Sequence, residues 1–160
     1  MSLAPGQPAP PFTLPRDGGG TVTLADLRGR AVVLFAYPGD STPSCTAEAQ
    51  DFSDLLPRFE AVGAAVLGLS SGGVSAKERF RAKAGLSVPL LADESGEVLR
   101  AYGLWQEKRT FGQTYMGLVR TTVLIDAEGR VAQVWTVTRV RGHAAEVLAA
   151  AERLAAAQRA

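Results

Sequence analysis

One stretch decides the fold: Tyr37-Pro38-Gly39-Asp40-Ser41-Thr42-Pro43-Ser44-Cys45-Thr46, which contains the only cysteine of the 160-residue chain. The apolar run Ala31-Val32-Val33-Leu34-Phe35-Ala36 precedes it, and residues 47–56 follow with apolar side chains at helical spacing. This pattern predicts a buried strand, a turn and an amphipathic helix. Function should therefore be sought at this strand-to-helix junction.

The junction has the signals of a helix start. Thr42 is a good N-cap residue and Pro43 suits the first helical position, so Cys45 falls in the first turn. Unpaired backbone N–H groups and the helix dipole favour an anion there, which predicts a thiolate near neutral pH. Free cysteines are more often small buried hydrophobes, but the neighbours of Cys45 favour the reactive role.

The spacing around the cysteine indicates its substrate chemistry. Redox sites of the thioredoxin type place Cys-x-x-Cys at such a junction, whereas Thr42-Pro43-Ser44-Cys45 has a hydroxyl in place of the first sulfur. A hydroxyl cannot form a disulfide, but it can hydrogen-bond a thiolate or a substrate oxygen. The pattern favours attack on an oxygen-containing substrate. The alternative that Thr42 serves only as a helix cap stays open, and the two roles are compatible.

Pro38-x-x-x-Thr42-x-x-Cys45 resembles the active-site motif of peroxiredoxins, and its surroundings are similar to the bacterioferritin-comigratory, or Q-type, branch. The similarity continues through residues 108–126 and 140–143. It implies a thiol-dependent peroxidase that reduces hydrogen peroxide and organic hydroperoxides through a sulfenic acid at Cys45. No metal and no organic cofactor is expected.

The resemblance also implies roles for four residues around the cysteine. Thr42 would hold the thiolate and the peroxide. Arg120 would favour the ionised thiol and stabilise charge on the leaving oxygen, Pro38 would shape the loop and shield the sulfur, and Glu48 would orient its neighbours. From the residues alone, Arg120 is equally an edge-strand side chain facing solvent, Pro38 a strand terminator, and Glu48 a surface carboxylate that favours the helix N-terminus.

Other side chains are weaker candidates. Ser44 stands where the branch usually has glycine, and we expect it to narrow access to the sulfur. A further hypothesis is that Trp105, Tyr115 and Met116 form an apolar wall for an organic hydroperoxide, although such residues more often belong to the core. His143 offers a hydrolase dyad with Cys45, but it looks more like the start of the last helix. Basic residues 108–109, 139 and 141 are most simply a solvated face.

Recycling must follow an unusual route because the chain has no second cysteine. Relatives of this type often have a resolving cysteine five residues after the first, where this chain has Gln50. The expected reductant is an external thiol, namely thioredoxin, glutaredoxin or a low-molecular-weight thiol, and Cys45 should be prone to overoxidation. Two alternatives remain: a peroxide sensor or thiol-transfer adaptor, and a non-catalytic thioredoxin-like module.

Composition excludes several classes of function. A net charge of +1 gives no reason to expect nucleic acid, and no apolar run is long enough for a bilayer. One cysteine and one histidine are too few for a zinc site built on such ligands. We expect a cytoplasmic protein without a membrane partner.

Alternating strand and helix patterns predict an α/β fold, thioredoxin-like, with a mixed central sheet flanked by helices and an N-terminal hairpin, as one domain over residues 1–160. Phe12, Leu14, Val22 and Leu24 supply the contacts of the hairpin within residues 1–30. The long helix after the junction should kink or split at Pro57. The remaining predicted elements are strands 31–37, 64–70, 88–91, 118–125 and 130–137, helices 75–84, 94–102 and 143–157, and a long connection over 104–117.

Overall fold

A five-stranded sheet forms the centre of the structure, a computed structural model that describes residues 3–159. In chain order the strands are β1 (Thr13–Pro15), β2 (Thr21–Thr23), β3 (Ala31–Ala36), β4 (Ala64–Ser70), β5 (Leu90–Ala92), β6 (Trp105–Thr110), β7 (Gln113–Leu118), β8 (Thr121–Ile125) and β9 (Val131–Thr136). The α-helices are α1 (Pro43–Ala61), α2 (Val74–Ala84), α3 (Glu97–Ala101) and α4 (His143–Arg159).

The main sheet has the strand order β5-β4-β3-β8-β9. β3 runs parallel to β4 and antiparallel to β8, so the sheet is mixed, with helices packed against it. The predicted mixed α/β architecture is confirmed. None of the helices within residues 3–159 is long and apolar enough to cross a membrane.

β3 is the middle strand, and its side chains are buried on both faces. Val33 and Phe35 belong to the same cluster as residues of α1, α2 and α4, and the Phe35 ring stacks on Phe52 at 4.6 Å. Leu34 and its alternate neighbours pack in a second cluster with Leu99 of α3. A continuous apolar run is the pattern expected of such a strand.

The N-terminal segment contacts both edges of the main sheet. Strands β1 and β2 form the predicted hairpin, whose apolar residues pack in the second cluster. At one edge the Asp17 N–H donates to Leu90 O over 3.0 Å. At the other edge the Gly6 N–H donates to Val131 O over 2.8 Å. The segment thus occupies backbone groups of β5 and of the first residue of β9.

The predicted long connection over residues 104–117 is wrong, because this region forms the antiparallel hairpin β6–β7. Phe111 and Gly112, which join the strands, both have positive φ, at 52° and 77°. A two-residue turn of this kind matches the twist of hairpin strands. Most of the hairpin is exposed, so it lacks the apolar alternation that reveals a half-buried strand.

The predicted strand over residues 118–125 is in fact two strands. β7 pairs with β6 in a separate two-stranded sheet, whereas β8 pairs with β3 in the main sheet. The chain changes sheets at Val119 and Arg120, which belong to neither strand. Arg120 is therefore a residue of a connection, and its placement in a strand was wrong.

α1 continues without a break through Pro57, so the predicted split is wrong. Proline removes the N–H that would bond to the carbonyl of the residue four positions earlier, Ser53. That carbonyl accepts instead from the Ser87 hydroxyl over 3.3 Å. The acceptor left free by proline is thereby satisfied from outside the helix.

Asp17 should contribute strongly to stability, because its buried carboxylate anchors the hairpin to β5. Its oxygens accept from the Leu90 N–H at 2.8 Å and from Arg81 Nη1 at 2.9 Å. We expect D17A to lower the free energy of unfolding by about 2–4 kcal/mol, because it leaves the Leu90 N–H and Arg81 Nη1 without their acceptor. Urea denaturation at unchanged slope measures this. The exposed Asp26 gives a control in D26A, and equal losses in both variants would contradict the anchor.

Candidate active site

The register of two strands brings the site together. Ala36, the last residue of β3, pairs with Thr121, the first residue of β8. The segment that follows β3 therefore lies beside the segment that precedes β8. As a result, the first turn of α1 meets Arg120, although the two are far apart in sequence.

The start of α1 has the predicted geometry. Thr42 is the N-cap, with Pro43 as the first helical residue, and the Thr42 Oγ1 accepts from the Cys45 N–H at 3.3 Å. The Cys45 side chain lies beneath this turn and is 1% exposed. Thr42 and Ser44 are exposed above it. The buried cysteine thus has exposed neighbours in the same turn.

Arg120 contacts three groups with two nitrogens. Nη1 donates to Glu48 Oε1 at 2.6 Å, and Nη2 donates to Ser44 Oγ at 2.8 Å and to Cys45 Sγ at 3.3 Å. Burial disfavours the charged guanidinium, but Glu48 and Cys45 outweigh it and raise the pKa of Arg120. The alternative of a solvent-facing edge-strand arginine is wrong, because the side chain is 12% exposed and turned inward.

Glu48 lies one turn after the cysteine and is 1% exposed, so the surface-carboxylate alternative is wrong. Its Oε1 bonds to Arg120, while its Oε2 is buried and has no hydrogen-bond partner among the described residues. Burial raises the pKa of Glu48 to about 7, against the lowering effect of the Arg120 charge. The carboxyl therefore titrates near neutral pH.

Ser44 has a role that glycine could not fill, since its hydroxyl accepts from Arg120. Pro38 is exposed at the start of the turn after β3, a position that fits both the shaping role and the terminator role. The structure thus brings together Cys45, Thr42, Ser44, Glu48 and Arg120 in one cluster.

Sequence reasoning missed a network that holds the turn between β3 and α1. Asp40, within this turn, accepts from the Tyr37 hydroxyl at 2.8 Å and from Lys77 Nζ at 3.2 Å. Lys77 is fully buried and also donates to Ser70 Oγ and Ser71 O, both at 2.8 Å. Burial lowers the pKa of Lys77, and the Asp40 carboxylate opposes this.

One signal for this network was present in the sequence. Lys77 lies three residues before Phe80 on α2, so the two share the buried face of that helix. A lysine on an apolar face needs a carboxylate partner. Asp40, in the turn next to the cysteine, was available for that pairing.

The proposed apolar wall does not form as one surface. Trp105 and Met116 lie on one face of the β6–β7 hairpin, because Trp105 pairs with Leu118 and Met116 is two residues from it. Tyr115 points to the other face, and both Tyr115 and Met116 are about half exposed. The three residues therefore do not share a wall.

His143 begins α4, as predicted, and does not pair with the cysteine. Its Nε2 is 2.8 Å from Thr122 Oγ1, and its ring packs edge-on against Phe52 and Trp135. Burial lowers the pKa of His143, so the imidazole is neutral near pH 7. The hydrolase dyad has no support in this geometry.

Comparison with known proteins decides the family. Residues 5–134 match the AhpC/TSA family. A Bcp relative from Coxiella burnetii is 45% identical over 92% of this chain and 98% of its own length. Peroxiredoxin Bcp of Bacillus subtilis is 40% identical over 92% of this chain and 94% of its own. The chain belongs to the AhpC/TSA family and is a peroxiredoxin.

A solved structure supports the same assignment for this peroxiredoxin. The bacterioferritin comigratory protein of Xanthomonas campestris superposes with a TM-score of 0.86 at 40% identity, covering 90% of this chain and 92% of that one. The predicted thioredoxin-like peroxiredoxin fold and Q-type resemblance are thus confirmed. The enzyme is a thiol-dependent peroxidase, and its single cysteine fits a one-cysteine mechanism.

Gln50 stands where relatives often have a resolving cysteine, and its side chain makes a structural contact instead. Gln50 Nε2 donates to Ala84 O at 3.0 Å, tying α1 to the end of α2.

No group of three or more histidine, cysteine or acidic side chains within the described range is arranged to hold a metal ion.

The raised pKa of Glu48 should appear in the pH dependence of stability. Its folded value of about 7 lies above its ordinary value of 4.5. The associated stability is present below the unfolded value and is lost as the pH rises through about 7. Between about pH 5 and pH 8, we expect the wild type to lose on the order of 1–3 kcal/mol relative to E48Q.

Urea unfolding of both proteins across this pH range measures the difference in their free energies of unfolding. Contributions from His143 and other shared groups cancel in this difference. The exposed Glu60 on the same helix provides a matched control, and E60Q should track the wild type. A difference between E48Q and wild type that does not change with pH would show that Glu48 keeps an ordinary pKa.

Proposed function

We propose that Cys45 is the nucleophile of this peroxiredoxin and that Arg120, Thr42, Ser44, Glu48 and Pro38 form its site. The observation that carries this proposal is the contact of Arg120 Nη2 with Cys45 Sγ at 3.3 Å, in the first turn of a helix. A guanidinium donor and a helix N-terminus both favour the anionic form of a cysteine.

The thiolate attacks the terminal oxygen of a hydroperoxide. An S–O bond forms and the O–O bond breaks, leaving a sulfenic acid on Cys45 and releasing water or an alcohol once the leaving oxygen gains a proton. Arg120 and the Thr42 hydroxyl are placed to stabilise charge on the oxygens. Pro38 and the exposed residues of the first turn line the approach to the sulfur.

The reductant is an external thiol, because the chain contains one cysteine. One thiol molecule attacks the sulfenic sulfur, releasing water and forming a mixed disulfide with Cys45. A second thiol then attacks that disulfide, forming a disulfide between the two external thiols and releasing the reduced cysteine. A low-molecular-weight thiol, a thioredoxin or a glutaredoxin has this chemistry. These thiols stay reduced in the cytoplasm, which is where we place the enzyme.

Hydrogen peroxide and organic hydroperoxides are the proposed substrates. The structure of the Xanthomonas campestris relative concerns alkyl peroxide reduction activity. In the present chain Cys45 is 1% exposed. Because so little of it is exposed, we expect an organic hydroperoxide to present its terminal oxygen first while its carbon chain stays outside the first turn.

Replacing Arg120 by lysine should reduce peroxidase activity sharply. Lysine keeps the charge but lacks the planar fork, so it cannot contact Glu48, Ser44 and Cys45 at the same time. We expect kcat/KM for hydrogen peroxide to fall about 10²-fold in R120K and to vanish in C45S. Peroxide consumption with excess dithiothreitol measures this. The exposed Arg109 supplies a control, and R109K with an equal loss would refute the specific role of Arg120.

Turnover with a plain thiol separates an enzyme from an adaptor. If Cys45 is recycled by an external thiol, dithiothreitol alone should sustain many turnovers of peroxide per protein. Mass spectrometry of Cys45 should then show a mixed disulfide when a monothiol replaces the dithiol. A single turnover that resumes only after a protein partner is added would instead favour a peroxide sensor or thiol-transfer adaptor.

A further inference from the structure

The site contains two acidic groups and a single cation that contacts them both. Cys45 and Glu48 are each 1% exposed, and both bond to the guanidinium of Arg120. A buried anion needs a partner charge, and one guanidinium neutralises one anion. When Cys45 is a thiolate, the Glu48 carboxyl is therefore favoured in its neutral, protonated form.

The carboxyl has a place for that proton. A protonated carboxyl keeps an acceptor oxygen and gains one O–H donor. Oε1 of Glu48 accepts from Arg120, whereas the buried Oε2 has no partner within residues 3–159. A proton on Oε2 thus leaves the Arg120 bond intact. The pKa of Glu48, raised to about 7, agrees with such a proton near neutral pH.

Charged groups act on Glu48 from two elements, and a third element carries His143, on which Arg120 also acts. On α1, Asp51 raises the pKa of Glu48, and Cys45 lies one turn away. Arg120 approaches from the connection before β8 and lowers it. His143 on α4 is kept neutral by burial. The balance between Arg120 and its two acids therefore governs where the proton resides.

We propose that Glu48 stores the proton given up by Cys45 and delivers it from Oε2, directly or through one water, to the leaving oxygen of the peroxide. This proposal rests on the proposed function of Cys45. In this step Cys45 thiolate, protonated Glu48 and ROOH become Cys45 sulfenic acid, Glu48 carboxylate and ROH. The terminal OH of the peroxide stays on sulfur, and the total charge is unchanged.

The same groups explain how the proton returns. Once the thiolate has become a neutral sulfenic acid, Arg120 has lost its sulfur anion, and the Glu48 carboxylate replaces it as the counter-charge. After two thiol molecules have reduced the sulfenic acid to a thiol, the thiol proton passes back to Glu48. The buried charge is therefore the same before and after each chemical step.

Proton counting in a single turnover tests this. Reduced enzyme is mixed with one equivalent of hydrogen peroxide at about pH 6.5, below the Glu48 pKa of about 7, in weak buffer with a pH indicator. Ultraviolet absorbance of the same samples reports the fraction of Cys45 present as thiolate. Wild type should form sulfenic acid without proton uptake, whereas E48Q should take up about one proton per sulfenic acid formed from thiolate.

The dependence of the rate on the leaving alcohol gives a second readout that a purely structural role would not move. The amide introduced by E48Q keeps an acceptor for Arg120 but holds no transferable proton, so the rate of sulfenic acid formation should fall about 10²-fold. The loss should grow as the leaving alcohol becomes more basic, across a series of alkyl hydroperoxides. The matched control, E60Q, should follow wild type in both readouts.

Three results would overturn the proposal. These are uptake of one proton by the wild type starting from thiolate, no uptake by E48Q starting from thiolate, and an E48Q rate equal to that of wild type for every leaving group. The wild-type proton count decides the matter even if E48Q does not fold. Absence of any sulfenic acid in the wild type would instead remove the proposed function itself.

Discussion

The Arg120 guanidinium joins the start of β8 to the first turn of α1, and the arrangement of the site depends on it. Its two terminal nitrogens reach a carboxylate, a hydroxyl and the sulfur at 2.6–3.3 Å. Burying an arginine is costly unless its donors are matched. The pairing of Ala36 with Thr121 meets this requirement, because it fixes the distance between the two segments.

A second buried cation supports the site from the other side. Lys77 holds Asp40 within the turn that connects β3 to α1, and the Tyr37 hydroxyl bonds to the same carboxylate. Burial raises the pKa of Tyr37, so its hydroxyl stays protonated and keeps donating. The turn is therefore fixed at the strand end by Asp40 and at the helix start by Thr42. Two independent anchors limit where the sulfur can lie.

Local sequence was sufficient to predict the parts of the site that local interactions determine. The cap at Thr42, the position of Cys45 and the buried strand β3 depend on neighbours within a few residues. Burial of Glu48 and Lys77 was not predictable in this way, because their partners lie 72 and 37 residues away. The β6–β7 hairpin was not predicted for another reason, because its exposed strands show no alternation of apolar and polar residues.

The N-terminal segment, which contacts both edges of the main sheet, has a consequence for synthesis of the chain. It is synthesised before its partners, because it pairs with Leu90 on one edge and with Val131 on the other. Contacts of such separation close slowly. During translation these contacts are thus the last of the segment's sheet contacts to form, because they require Val131 to have emerged.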